Sequence, residues 1–174
     1  CNNDCGGGAV NGAAGQCCYE QDLDACGVCF GIGQVPEDCI PLVTLSFNEN
    51  TVLEGNDIYF TVWMHNTVPV AGWQFGVDSN PEDVLTLTSA ANGSSEAAGH
   101  SVSFSADGTV VGFSLTGMSI PPSTTGGTLV EITGSVDNPY AILSLIDGVF
   151  SDPNGMPIPV EYSPEDFIVG DLPQ

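Results

Sequence analysis

The chain has 174 residues, enough for one domain of ordinary size with a small appendage. It carries 22 Asp and Glu, no Lys or Arg and two His, for a formal charge of −22. That balance excludes a basic grip on nucleic-acid phosphate, a basic patch for an anionic membrane, lysine Schiff bases and Lys–Asn cross-links, and it leaves trypsin-like proteases nothing to cut.

Hydrophobic residues make up 42% and charged residues only 13%, so the chain is not a disordered acidic tail. The composition fits a durable, exported protein. The first element is a cysteine-rich arm. Cys1, Cys5, Cys17, Cys18, Cys26, Cys29 and Cys39 are all the cysteines of the chain. Residues 1–41 contain too little aliphatic material for a core, so staples are expected. Cys26-Gly27-Val28-Cys29 is a C-x-x-C knuckle, which zinc would accept together with Cys1 and Cys5. The irregular spacing, the Cys17-Cys18 pair and the lack of a second knuckle favour disulfides instead, with connectivity open. Seven is odd, so one thiol is left for a second chain, for modification or for neither. If the chain is exported it is expected to be a processed form, and Cys1 at its start would then accept a lipid.

From Leu42 the hydrophobic period is two. Val43–Phe47, Ile58–His65, Trp73–Val77, Val84–Thr88, Ser101–Phe104, Val111–Leu115, Thr128–Val136, Tyr140–Ile146 and Phe167–Val169 are the predicted strands. Turn signals such as Asn92-Gly93, Asp107-Gly108, Asn138-Pro139 and Pro153-Asn154-Gly155 separate them. The stretch Ala90–Gly99 reads as a loop, and no segment has a convincing helical period. Eight or nine short strands predict an all-β sandwich over residues 42–174, preceded by the arm of residues 1–41.

Two resemblances accompany this reading. Cys1-Asn2-Asn3-Asp4-Cys5-Gly6-Gly7-Gly8 and Asp24-Ala25-Cys26-Gly27-Val28-Cys29-Phe30-Gly31 resemble the Cys/Gly/Asp repeats of secreted bacterial surface proteins. Farther on, Val70-Ala71-Gly72-Trp73-Gln74-Phe75-Gly76-Val77-Asp78 resembles the core of cohesin-like domains. Ala141-Ile142-Leu143-Ser144-Leu145-Ile146-Asp147 through Gly155 is similar to their late strand and turn. This second resemblance spans residues 42–170. It implies an immunoglobulin-like or jelly-roll sandwich of the cohesin and carbohydrate-binding-module type, an architecture that serves docking, sugar binding and surface filaments alike.

Candidate sites are few. A Cys–His pair with His65 or His100 needs a free thiol, no serine sits in a nucleophile elbow, and 22 carboxylates offer accidental pairs, so no catalytic residue is expected. No cofactor is required; calcium is the plausible ion, with Asp22 and Asp24 beside Glu20 as its candidate ligands. Asp147, Asp152 and Asn154 form a second oxygen cluster, read mainly as a turn. Asn92-Gly93-Ser94 is a glycosylation sequon, which would make the chain a glycoprotein. Trp73 alternates with Phe75 and Val77 and is expected in the core. Tyr59 and Trp63 share the face opposite Ile58, Phe60 and Val62, where a sugar would stack.

The arm's apolar residues, Leu23 and Phe30 above all, gain burial only against something outside the arm. The resulting expectation is a structural, non-enzymatic subunit of an extracellular, pilus-like filament or fibril. Its partners would be copies of itself, linked by the arm, with no nucleic acid and no membrane insertion. Copies at −22 repel over roughly 8–10 Å at physiological salt, so calcium or mild acid should favour assembly. The alternative is a secreted module that binds carbohydrate or a protein partner within a larger cell-surface scaffold.

Overall fold

The computed structural model describes residues 10–11, 17–23, 40–52 and 55–170, with the backbone alone for residues 10, 11, 17 and 49–52. In the arm, β1 (Val10–Asn11) pairs antiparallel with β2 (Cys17–Cys18), and a single 3₁₀ turn spans Glu20–Asp22. Cys1, Cys5, Cys26, Cys29, Cys39, Asp24 and Phe30 lie outside the described residues.

The rest is a two-sheet β-sandwich, as the period-two pattern predicts. One sheet contains β3 (Val43–Val52), β4 (Asp57–Asn66), β6 (Leu85–Ala91), β9 (Ser123–Val136) and β12 (Val160–Tyr162), in the order β12-β3-β4-β9-β6. β12 runs parallel to β3, whereas the other pairs are antiparallel. The second sheet contains β5 (Gly72–Asn80), β7 (Ser101–Phe104), β8 (Thr109–Phe113), β10 (Tyr140–Ser151), β11 (Pro157–Ile158) and β13 (Phe167–Gly170). Its order is β10-β5-β8-β7, with β11 and β13 sharing the outer edge of β10.

Alternation puts one set of side chains from each sheet between the layers. Ile58, Phe60, Val62 and Met64 of β4 face Trp73, Phe75 and Val77 of β5 and Ala141, Leu143 and Leu145 of β10 in one buried cluster. Aromatic rings tie the layers together. Phe47 meets Phe60 edge-on at 5.3 Å, and Phe167 from the other sheet lies 5.8 Å from Phe60 and 6.2 Å from Phe47. These fall within the favourable separation for ring pairs.

Two elements differ from the sequence reading. Ala90–Gly99 is not a loop: β6 runs to Ala91, and a short helix α1 (Gly93–Ala97) follows. Five residues are too few to show a helical period. Asn92 turns the chain with φ 62°, and a side chain at Gly93 would strike the backbone carbonyl of Leu129. The short β11 and β12 also escape the pattern, since Pro157 and Pro159 interrupt them and neither exceeds three residues.

Candidate functional site

The outer face of the β10-β5-β8-β7 sheet can be assembled row by row from the strand register. One row runs Val149, Gln74, Val111, Ser103, and the next runs Ser151, Gly72, Phe113, Ser101. Ile146 stands beside Gly76 and Thr109, and Ile168 of β13 beside Ile142 and Asn80. The result is a broad strip in which Val149 is 62% exposed, Ile168 56% and Phe113 41%. A bulge in β10 between Ile146 and Val149, with Asp147 at φ 51°, returns Val149 to the face. Gly76 leaves the space over which Ile146 lies: an added Cβ would come within 3.0 Å of Ile146 Cγ1.

Charge is sparse on this face. Among the described residues, Asp78 and the bulge residue Asp147 are the only carboxylates on its strands, in a chain with 22. Others collect at the rim. A cavity of about 270 Å³ at one end brings Asp78, Asp83 and Asp107 together. Asp166 accepts from Ser144 Oγ at 2.9 Å at the β10–β13 edge. Beyond Phe113, the segment 114–119 continues the apolar surface, with Leu115 83% and Met118 55% exposed.

The outer face of the opposite sheet is made of hydroxyls and half-buried aromatics. Thr88 and Thr133 pair across β6 and β9 at 3.1 Å, and Glu131 accepts from Asn92 Nδ2 at 2.9 Å. Tyr59, Trp63 and His65 project outward from β4, as the alternation predicts. Trp63 does not stand free, because its indole covers the backbone of Gly126. Thr61 between the two aromatics is buried and donates to the Asn48 carbonyl at 2.7 Å.

The remaining candidates fall as follows. Trp73 is in the core, stacked on Phe75 at 5.5 Å and pressed against Gly112. Asn92 is exposed, so the sequon is reachable, although its amide group is engaged by Glu131. Cys18 is buried and disulfide-bonded. Leu23 is half-buried and Asp22 closes the 3₁₀ turn. The Asp152 carboxylate closes a turn, accepting from the backbone N–H of Met156 and of Asn154, each at 2.8 Å. These bonds, Met156's above all, hold its pKa below the usual carboxylate value. Among the described residues no cluster of His, Cys, Asp or Glu is arranged to hold a metal ion, and no helix is long and apolar enough to cross a membrane.

The sequence reading missed the apolar face. Its signal was present: Ala141–Ile146 and Val110–Val111 are apolar at both parities, so each strand has more aliphatic side chains than one buried face accepts.

No known protein-family model matches the chain, and no curated protein matches it. Its fold is similar to solved cohesin structures. A non-cellulosomal cohesin from the hyperthermophilic archaeon Archaeoglobus fulgidus is 17% identical with a TM-score of 0.55, covering 74% of this chain and 91% of that one. The seventh ScaB type I cohesin from Pseudobacteroides cellulosolvens is 16% identical with a TM-score of 0.53, covering 76% and 95%. The third ScaC cohesin of Acetivibrio cellulolyticus, solved in complex with a dockerin, is 16% identical with a TM-score of 0.56, covering 75% and 99%. The chain therefore has a cohesin-like β-sandwich fold.

Proposed function

We propose that this protein is a non-enzymatic, extracellular protein-binding module that docks a partner chain on the outer face of the β10-β5-β8-β7 sheet. The observation that carries the reading is the strip of exposed Ile146, Val149, Phe113 and Ile168, joined by half-buried Ile142 and Val111 and kept nearly free of carboxylates in a chain of charge −22. Such a face gains free energy on contact with another apolar surface, at roughly 25 cal/mol per Å² buried. The acidic rim selects a partner with Lys and Arg around an apolar centre. The fold likeness to cohesins, one of them solved with a dockerin bound, supports the same kind of role.

This is the alternative reading of the sequence, and it is preferred to the self-linked filament on charge. A second copy brings another −22 and no cation to answer the rim. The arm of residues 1–41 then serves as a stapled spacer between the sandwich and whatever adjoins it.

The test is retention of proteins from a secreted fraction on the immobilised full chain, with one variant in each outer face. One discrete polypeptide should be held by the parent and by Thr133→Asp. Val149→Asp should weaken its binding roughly 30-fold, about 2 kcal/mol. Retention lost in Thr133→Asp but kept in Val149→Asp would move the site to the other sheet. Fibres from the isolated chain would restore the filament.

A further inference from the structure

At one corner of the docking face sits a histidine that the binding surface itself does not use. His100 lies between α1 and β7 and is 6% exposed. Its Nε2 is 3.2 Å from the carbonyl oxygen of Met118. A carbonyl only accepts, so Nε2 must be the protonated nitrogen and Nδ1 the bare one. Nδ1 is buried with no hydrogen-bond partner. Ser95 Oγ is likewise buried and unpartnered, and the two do not serve each other.

Met118 belongs to the segment 114–119, which follows Phe113 and presents Leu115 and Met118. Most of the segment's hydrogen bonds are internal: Ser114 Oγ accepts from Met118 N at 3.0 Å and from Thr116 N at 3.3 Å. Its far end is fixed by the paired backbone bonds of Val70 and Ile120. Among the described residues, the bond from His100 is the one that ties residues 115–119 to another element.

We propose that His100 is a pH-sensitive latch on the 114–119 segment, holding that edge of the docking face in place at neutral pH and releasing it in mild acid. The proposal rests on the reading of this face as the binding surface and names its regulation. Adding a proton places a charged N–H at Nδ1, inside the protein, with no acceptor. The lower-energy course is to break the bond to Met118 and turn the ring to water. Burial accordingly holds the His100 pKa below its ordinary value, with the Met118 carbonyl opposing it in part. No neighbouring charge offsets this. β7, β8 and residues 114–120 carry no titratable side chain. Glu96 of α1 accepts from Asn92 N at 3.1 Å, and Glu131 of β9 accepts from Asn92 Nδ2. The other imidazole, His65, projects from the opposite sheet.

Hydrogen exchange of the full chain tests the latch without any partner, so its failure is separate from failure of the binding reading. Exchange is measured at about pH 7.5 and about pH 5, on either side of the ordinary histidine range, and corrected for intrinsic rates. Opening takes up one proton, so the opening constant for residues 115–119 should rise by up to roughly tenfold per pH unit once His100 would titrate. Strands β4 and β9 should stay protected throughout. His100→Gln, which keeps an amide donor that cannot titrate, should flatten the response. If that variant fails to fold, NMR titration of the parent decides, because the segment's change should share its midpoint with the His100 ring signals. Equal protection at both pH values, acid response undiminished in His100→Gln, or simultaneous loss in β4 and β9 would each overturn the latch.

Discussion

The two outer faces of the sandwich are built by the same alternation and end in opposite chemistry. On the β4-β9 side the outward positions include Thr88 and Thr133, paired with each other, and Glu131, bonded to Asn92, while Trp63 lies half-buried against the backbone of Gly126. On the β10-β5 side the outward positions include Ile146 opposite Gly76 and Val149 opposite Gln74, both exposed. The polar face is therefore the structural one, with its groups satisfied inside the molecule. The apolar face is the incomplete one, because no other element among the described residues covers Val149 or Ile168. In a protein at −22, leaving one sheet face almost uncharged keeps a surface where apolar contact outweighs repulsion.

The largest expected effect separates the inner and outer sides of the β5 sheet. Gly112 backs the Trp73 indole, and an added Cβ would clash with the Cε2, Cζ2 and Nε1 atoms of the ring. Trp73 is 2% exposed and has no room to retreat. Gly112→Ala should lower unfolding stability by about 3 kcal/mol in urea titration, the upper part of the range for overpacking. Gly76→Ala on the outer side meets only the flexible Ile146, so it should cost well under half as much. Equal losses would mean that the outer side is packed as tightly as the core.

The second expectation inverts intuition about which face holds the fold. Trp63, on the polar face, covers Gly126 and should cost about 2 kcal/mol when replaced by Ala, roughly half the loss for a fully buried tryptophan. Val149→Ser, on the apolar face, should stay within about 0.5 kcal/mol of the parent, as surface substitutions do. Thermal melts of the two variants decide. A large loss from Val149→Ser would show that the strip serves stability and not docking.

The sandwich was legible because each long strand needs one apolar parity, and Ile58-x-Phe60-x-Val62-x-Met64 declares it. Trp73 was placed in the core by phase with Phe75, and Tyr59 and Trp63 on the other face by the same rule. The apolar outer face was harder to read, because a strand apolar at both parities looks like a fully buried one until the sheet order shows which side no described element covers. His100 was illegible: its burial depends on Met118, eighteen residues away on another turn, and no local pattern encodes that meeting. α1 follows from Gly93 fitting under Leu129, again a tertiary contact.

The smallest effect belongs to the other end of the row that contains Phe113. Ser101, next to His100, and Ser151, next to Asp152, stand towards opposite ends of the row Pro157-Ser151-Gly72-Phe113-Ser101, so two titrating groups flank one end of the apolar face. They act in different pH windows. The Asp152 pKa is lowered from 3.8, chiefly by the Met156 N–H, so its contribution is complete above that unfolded value and is lost as pH falls through the folded one. The His100 pKa is lowered from 6.5, and for a base this means stability falls as pH drops below 6.5 toward the folded value. Asp152→Asn should therefore lower stability slightly near neutrality, where the carboxylate's contribution is complete, and flatten the acid limb of a urea-midpoint profile, whereas His100→Gln should flatten the limb nearer neutrality. The Asp152 turn lies at the surface, so water competes for its hydrogen bonds and its limb should be the shallower of the two. If Asp152→Asn instead removed the limb nearer neutrality, acid sensitivity would reside in the β10–β11 turn, and the two edges of the face would have exchanged roles.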